Sequence, residues 1–399
     1  MTLATPAARP RRWPVITTLG IVEIFAWGSS YYLMAPLAGP IVAETGWPLP
    51  WVIGALSLGL LVAGFASPHV GAAIARHGGR PVLAAGMLLL AAGLLLLAVA
   101  PSLPAFYAGW IVIGLGMSAG LYDPCFATLG RLYRRDARSA ITALTLWGGF
   151  ASTICWPLST WGLAHLGWRG TVVAYAGLHL CLTLPLILAG LPKEPANVET
   201  VRARNGAPVE LADHERLAYA LMAAAFTLAA SISSIMAVHL ITLLQGLGIS
   251  AIAAVTLGTL IGPAQVAARV VEMASVGRHH PRWTLLIAAG LFGSGLLLLA
   301  SGKGGTGLAL ALYGAGNGLF SIARGALPMT LFGPERHAVL IGRMARPSLI
   351  AQAFAPMAGA VLLDTTDGSG ALAVLAAAGI VAVGLTAWLV ADGVRGRSS

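Results

Sequence analysis

The sequence predicts an all-α, polytopic membrane protein with 12 transmembrane helices in two pseudo-symmetric six-helix bundles. Three observations carry that prediction. Of 399 residues, 57% are hydrophobic and 10% charged, with a mean hydropathy of +0.83, whereas soluble domains carry about 25% charged residues. Apolar runs of about 20 residues, the length of one bilayer crossing, recur along the chain. Arginines fill every second break between those runs, as basic residues do when they are retained on the cytoplasmic side. An ordinary soluble enzyme and a charge-rich disordered chain are both excluded.

The spans follow in order. The first, 13–37, comes after RPRRWP and imitates a secretory leader. Its apolar run is too long for an h-region and lacks a small-residue cleavage site, so it is read as an uncleaved membrane helix. Spans two to six are 51–74, 81–100, 103–132, 140–163 and 171–191, separated by charged or Gly/Pro-rich breaks. Spans seven to twelve are 217–244, 251–273, 283–300, 307–332, 339–363 and 370–390. The runs that exceed the minimum imply tilt or extension beyond the bilayer.

Loop charge tests this count. Arg9, Arg11 and Arg12 precede the first span; Arg76 and Arg80 lie in the second loop; Arg131, Arg134, Arg135 and Arg138 lie in the fourth. The sixth carries Lys193, Arg202, Arg204 and Arg216, the eighth Arg278 and Arg282, and Arg336, Arg343 and Arg346 surround the tenth. Arg395 and Arg397 end the chain, and the alternate loops hold only Arg169 and Lys303 beside Glu44, Asp364 and Asp367. Both termini are therefore expected in the cytoplasm, with the chain spanning the inner membrane of a bacterium many times. The net charge of +10 is then mostly topological, and without a polybasic face no nucleic acid is expected as a partner.

The one extended polar stretch, 192–216, is expected to be a cytoplasmic linker between an N-terminal bundle, 1–191, and a C-terminal bundle, 217–399. RHGGRPVLAAGMLLLAAGLLLLA from position 76 is similar to RHHPRWTLLIAAGLFGSGLLLLA from position 278. Both copies cover the loop before the third helix of a half, and repeated halves around a midplane site are a transporter design. Cys125, Cys155 and Cys181 form no disulfide or metal spacing, so no metal site is expected. SGKGGTG from Ser301 lacks the spacing of a nucleotide-phosphate loop. With no nucleophile–base constellation either, neither an enzyme nor a cofactor is expected.

GAAIARHGGRP from Gly71 resembles the loop between the second and third helices of the major facilitator superfamily, G-x-x-x-D-R-x-G-R-R. Gly71, Arg76, Gly78 and Arg80 match, Ala75 replaces the acid and Gly79 a basic residue. RDARSA from Arg135 and LGWRG from Leu166 are similar to later loops of that superfamily. The resemblance covers essentially the whole chain and implies a secondary transporter whose loop motif gates the cytoplasmic side, here without the acid of the usual ionic latch. Trp110 and Trp156-Pro157 stand where many drug exporters carry an arginine and a Gly-Pro motif. QVAAR, ending at Arg269, is faintly similar to helix eight of the distant monocarboxylate/oxalate-formate branch, with Gln265 in place of the acid; the matching lysine of helix one is not evident.

Ionisable side chains inside a bilayer are costly and usually face a cavity or a partner. Glu23 lies near mid-depth in span one, with Trp27, Ser30 and Tyr31 on its face. Asp123 precedes Pro124 in span four, as a proton site or as a cap for a broken turn. In span eight, Gln265, Arg269 and Glu272 share a stripe: Arg269 meets an anion, or Glu272 at i+3 neutralises it. In span ten, Tyr313, Asn317, Ser321 and Arg324 share a face. No acid lies one turn from Arg324, so its partner is a substrate carboxylate or an acid across the bundle, Asp123 or Glu23. His239 has a pKa suited to proton coupling, Gln352 offers an amide, and Trp156 is a candidate cavity wall.

The expected function is proton-coupled movement of a small organic anion or related metabolite by alternating access. Arg324, Arg269, Gln265, Asn317, Tyr31, Trp27, Trp156 and Gln352 would bind substrate; Glu23, Asp123 and His239 would couple protons. The expected partners are a small-molecule substrate, protons and the lipid bilayer, for a monomer. The alternative is a proton antiporter exporting cationic or amphipathic drugs or a thiophilic metalloid.

Overall fold

The computed structural model describes residues 11–193, 210–275, 278–303 and 305–395. Among these residues every regular element is a helix. The first half contains α1 Arg12–Gly28, α2 Met34–Thr45, α3 Leu49–His77, α4 Gly79–Ala98, α5 Leu103–Gly120, α6 Tyr122–Tyr133, α7 Ala137–Gly148, α8 Ala151–Leu178 and α9 Leu184–Gly190. The second contains α10 Asp213–Gly246, α11 Ala251–Gly258, α12 Ile261–Ala274, α13 Pro281–Ala300, α14 Thr306–Phe332, α15 Pro334–Thr365 and α16 Gly368–Arg395.

Among the described residues, ten segments are long and apolar enough to cross a membrane. One of them, Ala137–Gly190, runs for 54 residues and turns at Gly167, whose φ of +66° suits glycine, so it makes two crossings. The first span is broken in two, which completes twelve. One apolar core joins α1–α9 and a second joins α10–α16. The interior of each half is thus filled mainly by its own six spans. Most of the expected linker, 194–209, lies outside the described residues.

Several expected spans are interrupted rather than continuous. Span one stops at Gly28 because the Ser30 hydroxyl donates to the Ala26 carbonyl (2.5 Å) and the Tyr32 N–H turns back to Trp27 O (3.0 Å). Hydroxyls that compete for backbone groups in this way weaken a helix. Span four breaks at Leu121, which is extended, and Pro124 then falls in the first turn of α6, where its missing N–H costs nothing. Span five breaks between α7 and α8, and span eight between α11 and α12.

The arginine-bearing loops gather at one end. Arg12 reaches Asp136, Arg131 donates to Ala75 O (2.8 Å) and Arg138 donates to His279 O (2.5 Å). Arg134 pairs with Glu335 (3.2 Å), Arg336 with Glu215 (2.6 Å), and Arg80 bonds Leu188 O. At the other end, Arg169 pairs with Glu44 (2.8 Å) and caps Ala98 O (2.7 Å). There too, hydrogen bonds from Gly370 N–H and the Ser369 hydroxyl hold Asp367 below the usual carboxylate range.

The two halves meet closely at the arginine-rich end through glycines of α3 and α15. A Cβ on Gly71 would lie 2.5 Å from Ala338 O, and one on Gly342 would lie 2.5 Å from Ser67 O. Only glycine allows backbones this near. Gly71→Val is therefore expected to hold these ends apart. Double electron–electron resonance between spin labels at Lys193 and Arg278 would then read a longer distance; an unchanged distance would show that the contact does not set closure.

Candidate functional site

The interruptions in spans one and four place non-helical or first-turn backbone around a central cavity of ≈ 200 Å³. Broken helices at mid-depth are tolerated where they line such a space. Of the residues the sequence nominated, Trp27, Tyr31, Asp123, Gln265, Arg269, Asn317, Arg324 and Gln352 line it. They come from both halves, so either half alone leaves the site incomplete.

Asp123 and Arg324 form a bidentate pair across the halves, with Arg324 Nε donating to Oδ1 (2.9 Å) and Nη2 to Oδ2 (2.7 Å). The acid sits in the first turn of α6, where helix polarity favours a negative charge. The carboxylate is thus engaged by a guanidinium of the other half rather than by the backbone N–H groups of the broken turn. Both side chains are more than four-fifths buried, a setting in which each charge depends on the other.

Arg269 is differently placed. It is 5% exposed, and its guanidinium donates to Thr145 O (3.0 Å), Gln265 Oε1 (3.2 Å) and Gly318 O (3.4 Å). All three are neutral acceptors. Among the described residues no carboxylate lies within ion-pair distance of it, so Glu272 does not neutralise its i+3 neighbour. Glu272 turns away, accepting from Arg138 (2.8 Å) and Thr284 (2.8 Å) with His279 at 3.4 Å. Arg138 belongs to the first half, so this is a second buried bridge between the halves. A buried cation facing a cavity without a counter-ion is electrostatically incomplete.

Aromatic rings form a further part of the wall. The ring centroids of Trp27 and Tyr31 are 5.4 Å apart, those of Trp27 and Tyr122 5.2 Å, and Tyr122 stacks on Phe126 at 5.1 Å. Phe226 and Phe320 line the space from the second half. Ser233 donates to Asn317 Oδ1 (3.0 Å) and Ser234 to Gln352 O (3.2 Å). Tyr32, Tyr122, Phe226, Phe320 and Ser233 were not legible as site residues, since apolar and hydroxyl side chains are common in every span. The helix break beside Tyr32 and Asp123 was the available signal for the first two.

Three nominated residues stand elsewhere. Glu23 is fully buried behind the wall and accepts from the Trp27 indole (2.7 Å). His239 lies outside the cavity lining, with Nε2 2.8 Å from Pro356 O. Trp156 is 45% exposed and reaches only the outside of the wall, edge-on to Tyr32 at 6.1 Å. Trp156 lies beyond the break between Gly148 and Ala151, so its helix does not continue the register of the preceding one. Of the gating-loop residues, Gly71 makes the close contact described above. Gly78 turns the chain at φ +81°, Arg80 fastens the loop to Leu188 and Arg76 is exposed. Cys125 and Cys155 are buried, and no cysteine lines the cavity. Among the described residues, no group of three or more metal-ligating side chains occurs.

Comparison with known proteins is consistent with this geometry. Monocarboxylate transporter 11 of Homo sapiens is 31% identical over 189 residues, 42% of this chain and 38% of that protein. Its Mus musculus counterpart is 31% identical over 185 residues, 42% of this chain and 40% of that protein. The matched stretch thus spans about two fifths of the length of these curated relatives. Among solved structures, the human organic anion transporter MFSD10 (TETRAN) superposes with a TM-score of 0.72 at 15% identity, covering 94% of this chain and 100% of that one. The proton:xylose symporter XylE gives 0.73 at 14% identity, covering 93% and 94%. At such identities these two likenesses establish the fold. The family model described as Major Facilitator Superfamily matches residues 19–342, most of the chain and parts of both halves, and the chain belongs to the Major Facilitator Superfamily of membrane transporters.

Proposed function

We propose that the protein is a proton-coupled secondary transporter that moves a small organic anion by alternating access. The single observation that carries the reading is Arg269, a buried cation on the cavity wall whose acceptors among the described residues are all neutral. A substrate carboxylate supplies the missing charge, and the aromatic wall accepts its apolar body. Asp123 is the proton site that faces the cavity: protonated, it releases Arg324, which then becomes a second cation for the substrate. Glu23 and His239 stand behind the wall and outside it, as secondary proton sites. A ligand shifts only an equilibrium whose states it binds differently, and breaking the Asp123–Arg324 bridge supplies that difference.

The arginine-rich end is the cytoplasmic end, in keeping with the distribution of loop charge. Both termini then lie in the cytoplasm, 1–191 and 217–399 are the two moving bundles, 192–216 links them, and the protein works as a monomer in the inner membrane. Export of cations fits less well, because Asp123 is occupied by Arg324 and Glu23 is sealed behind Trp27. A metalloid route would need thiols on the cavity wall, and none is there.

A thermal-shift screen of the purified protein against anionic, cationic and neutral metabolites at two pH values tests the reading. Stabilisation by carboxylates, stronger at the lower pH and followed by their counterflow in proteoliposomes, is the expected result. Stabilisation by cations alone would overturn it.

A further inference from the structure

His337 is a titratable group that the proposed cycle does not use. It is the fourth residue of α15, fully buried at the arginine-rich end. Its Nε2 lies 2.9 Å from the carbonyl oxygen of Gly325. A carbonyl only accepts, so Nε2 carries the proton and Nδ1 is the bare nitrogen. Nδ1 is buried and has no hydrogen-bond partner among the described residues. It faces Gly130 of α6, where an added Cβ would lie 2.5 Å from it.

The ring therefore spans the junction of the two halves. Gly325 follows Arg324 in the second half, and Gly130 lies two turns beyond Asp123 on the same face of α6. The charges on the surrounding helices are engaged or exposed. On α6, Asp123 is paired with Arg324 of α14, and Arg131 donates to Ala75 O. On α7, Arg138 is bound to Glu272. On α3, Arg76 and His77 are exposed. On α15 itself, Glu335 pairs with Arg134 and Arg336 with Glu215. Among the described residues, no carboxylate lies within ion-pair distance of His337.

Protonation at Nδ1 would place an N–H without an acceptor, and a charge without a counter-ion, inside a fully buried junction. When the halves part at this end, the same ring meets water and can take the proton freely. We propose that His337 is a proton-coupling residue of the arginine-rich gate: closure requires its neutral ring, and acid on that side of the membrane holds the gate open. The open state binds the extra proton, so falling pH moves the equilibrium toward opening. The inference rests on the two halves moving apart at this end and is independent of the substrate's charge.

The test uses full-length protein in lipid nanodiscs, with spin labels on cysteines at Lys193 and Arg278 in a Cys181→Ser background, and the Asp123→Asn/Arg324→Gln double variant as a parallel background that removes the titratable Asp123 bridge without stranding a charge. As pH falls through the ring's titration, the open-to-closed ratio read by double electron–electron resonance should rise by about tenfold per pH unit. His337→Gln, which keeps a donor for Gly325 O but cannot titrate, should flatten that response in both backgrounds. In the wild type, imidazole C2 hydrogen exchange of His337 followed by mass spectrometry should titrate with the same midpoint as the opening. This second measurement needs no variant and decides the matter if His337→Gln fails to fold. The proposal is overturned by a wild type whose distances ignore pH, or by a variant with the full wild-type response. An exchange midpoint more than about one unit from that of opening overturns it equally.

Discussion

Replacing Arg269 by glutamine is expected to weaken binding of the stabilising anion by roughly ten- to a hundredfold. Arg269 is 5% exposed, and among the described residues its guanidinium bonds only Thr145 O, Gln265 Oε1 and Gly318 O. Among those residues its charge therefore has no counter-ion to share with the ligand. A hydrogen bond to a charged group contributes about 1.5–3 kcal/mol, which converts to that range of affinity. Arg269→Lys keeps the charge but loses the planar fork that reaches several oxygens together, so it should fall between wild type and Arg269→Gln. Isothermal titration of the anion selected by the screen reads the effect directly. Unchanged affinity in Arg269→Gln, with the protein intact by melting temperature, would remove the main support for an anionic substrate.

The second large effect concerns the bridge between the halves. Asp123→Asn leaves Arg324 buried without its carboxylate, and Arg324→Gln leaves Asp123 buried without its guanidinium. Stranding one member of a buried pair costs about 3–5 kcal/mol. That cost falls on the closed arginine-rich end, the state in which the pair exists. Each single variant should therefore open this end, shifting the open-to-closed ratio by more than about a hundredfold. The double variant, which strands no charge, should recover most of the closed population. Spin-label distances across the end measure all three variants in one double-mutant cycle. In addition, Asp123→Asn frees Arg324 as a second cation and should bind the anion more tightly than wild type. If both single variants retain the closed distance, the pair is not a latch.

A second bridge supports the first. Arg138 donates to Glu272 and to the His279 carbonyl, while Glu272 also accepts from Thr284. The family-like loop carries Ala75 where the resemblance implies an acid, and Arg131 donates to the Ala75 carbonyl at that position. Closure of this end is thus built from Asp123–Arg324, Arg138–Glu272 and glycine-mediated approach of α3 and α15, in place of an acid in the loop.

The sequence by itself determined the twelve spans, the end at which the arginines gather and most of the polar wall. Hydropathy and loop charge are local, additive properties, and a helix in a bilayer satisfies its own backbone groups. Trp27 and Tyr31 were legible from one helical face, as were Asn317 and Arg324 from another, because periodicity survives wherever a helix is unbroken. Trp156 lies past the break after Gly148, where helical register restarts, and stands outside the cavity lining. The tertiary structure alone decided which charges meet. Asp123 and Arg324 are 201 positions apart, and Arg138 and Glu272 are 134 apart. The sequence offered Arg324 two acids, Asp123 and Glu23, and offered Arg269 a neighbour in Glu272. Packing gave Asp123 to Arg324, sealed Glu23 behind Trp27 and turned Glu272 toward Arg138. Partner choice among buried charges depends on which helix faces cross, and crossing geometry is set by small residues and core packing across both halves. From that choice came the feature on which the proposed function rests, a cavity cation with no carboxylate within ion-pair distance among the described residues.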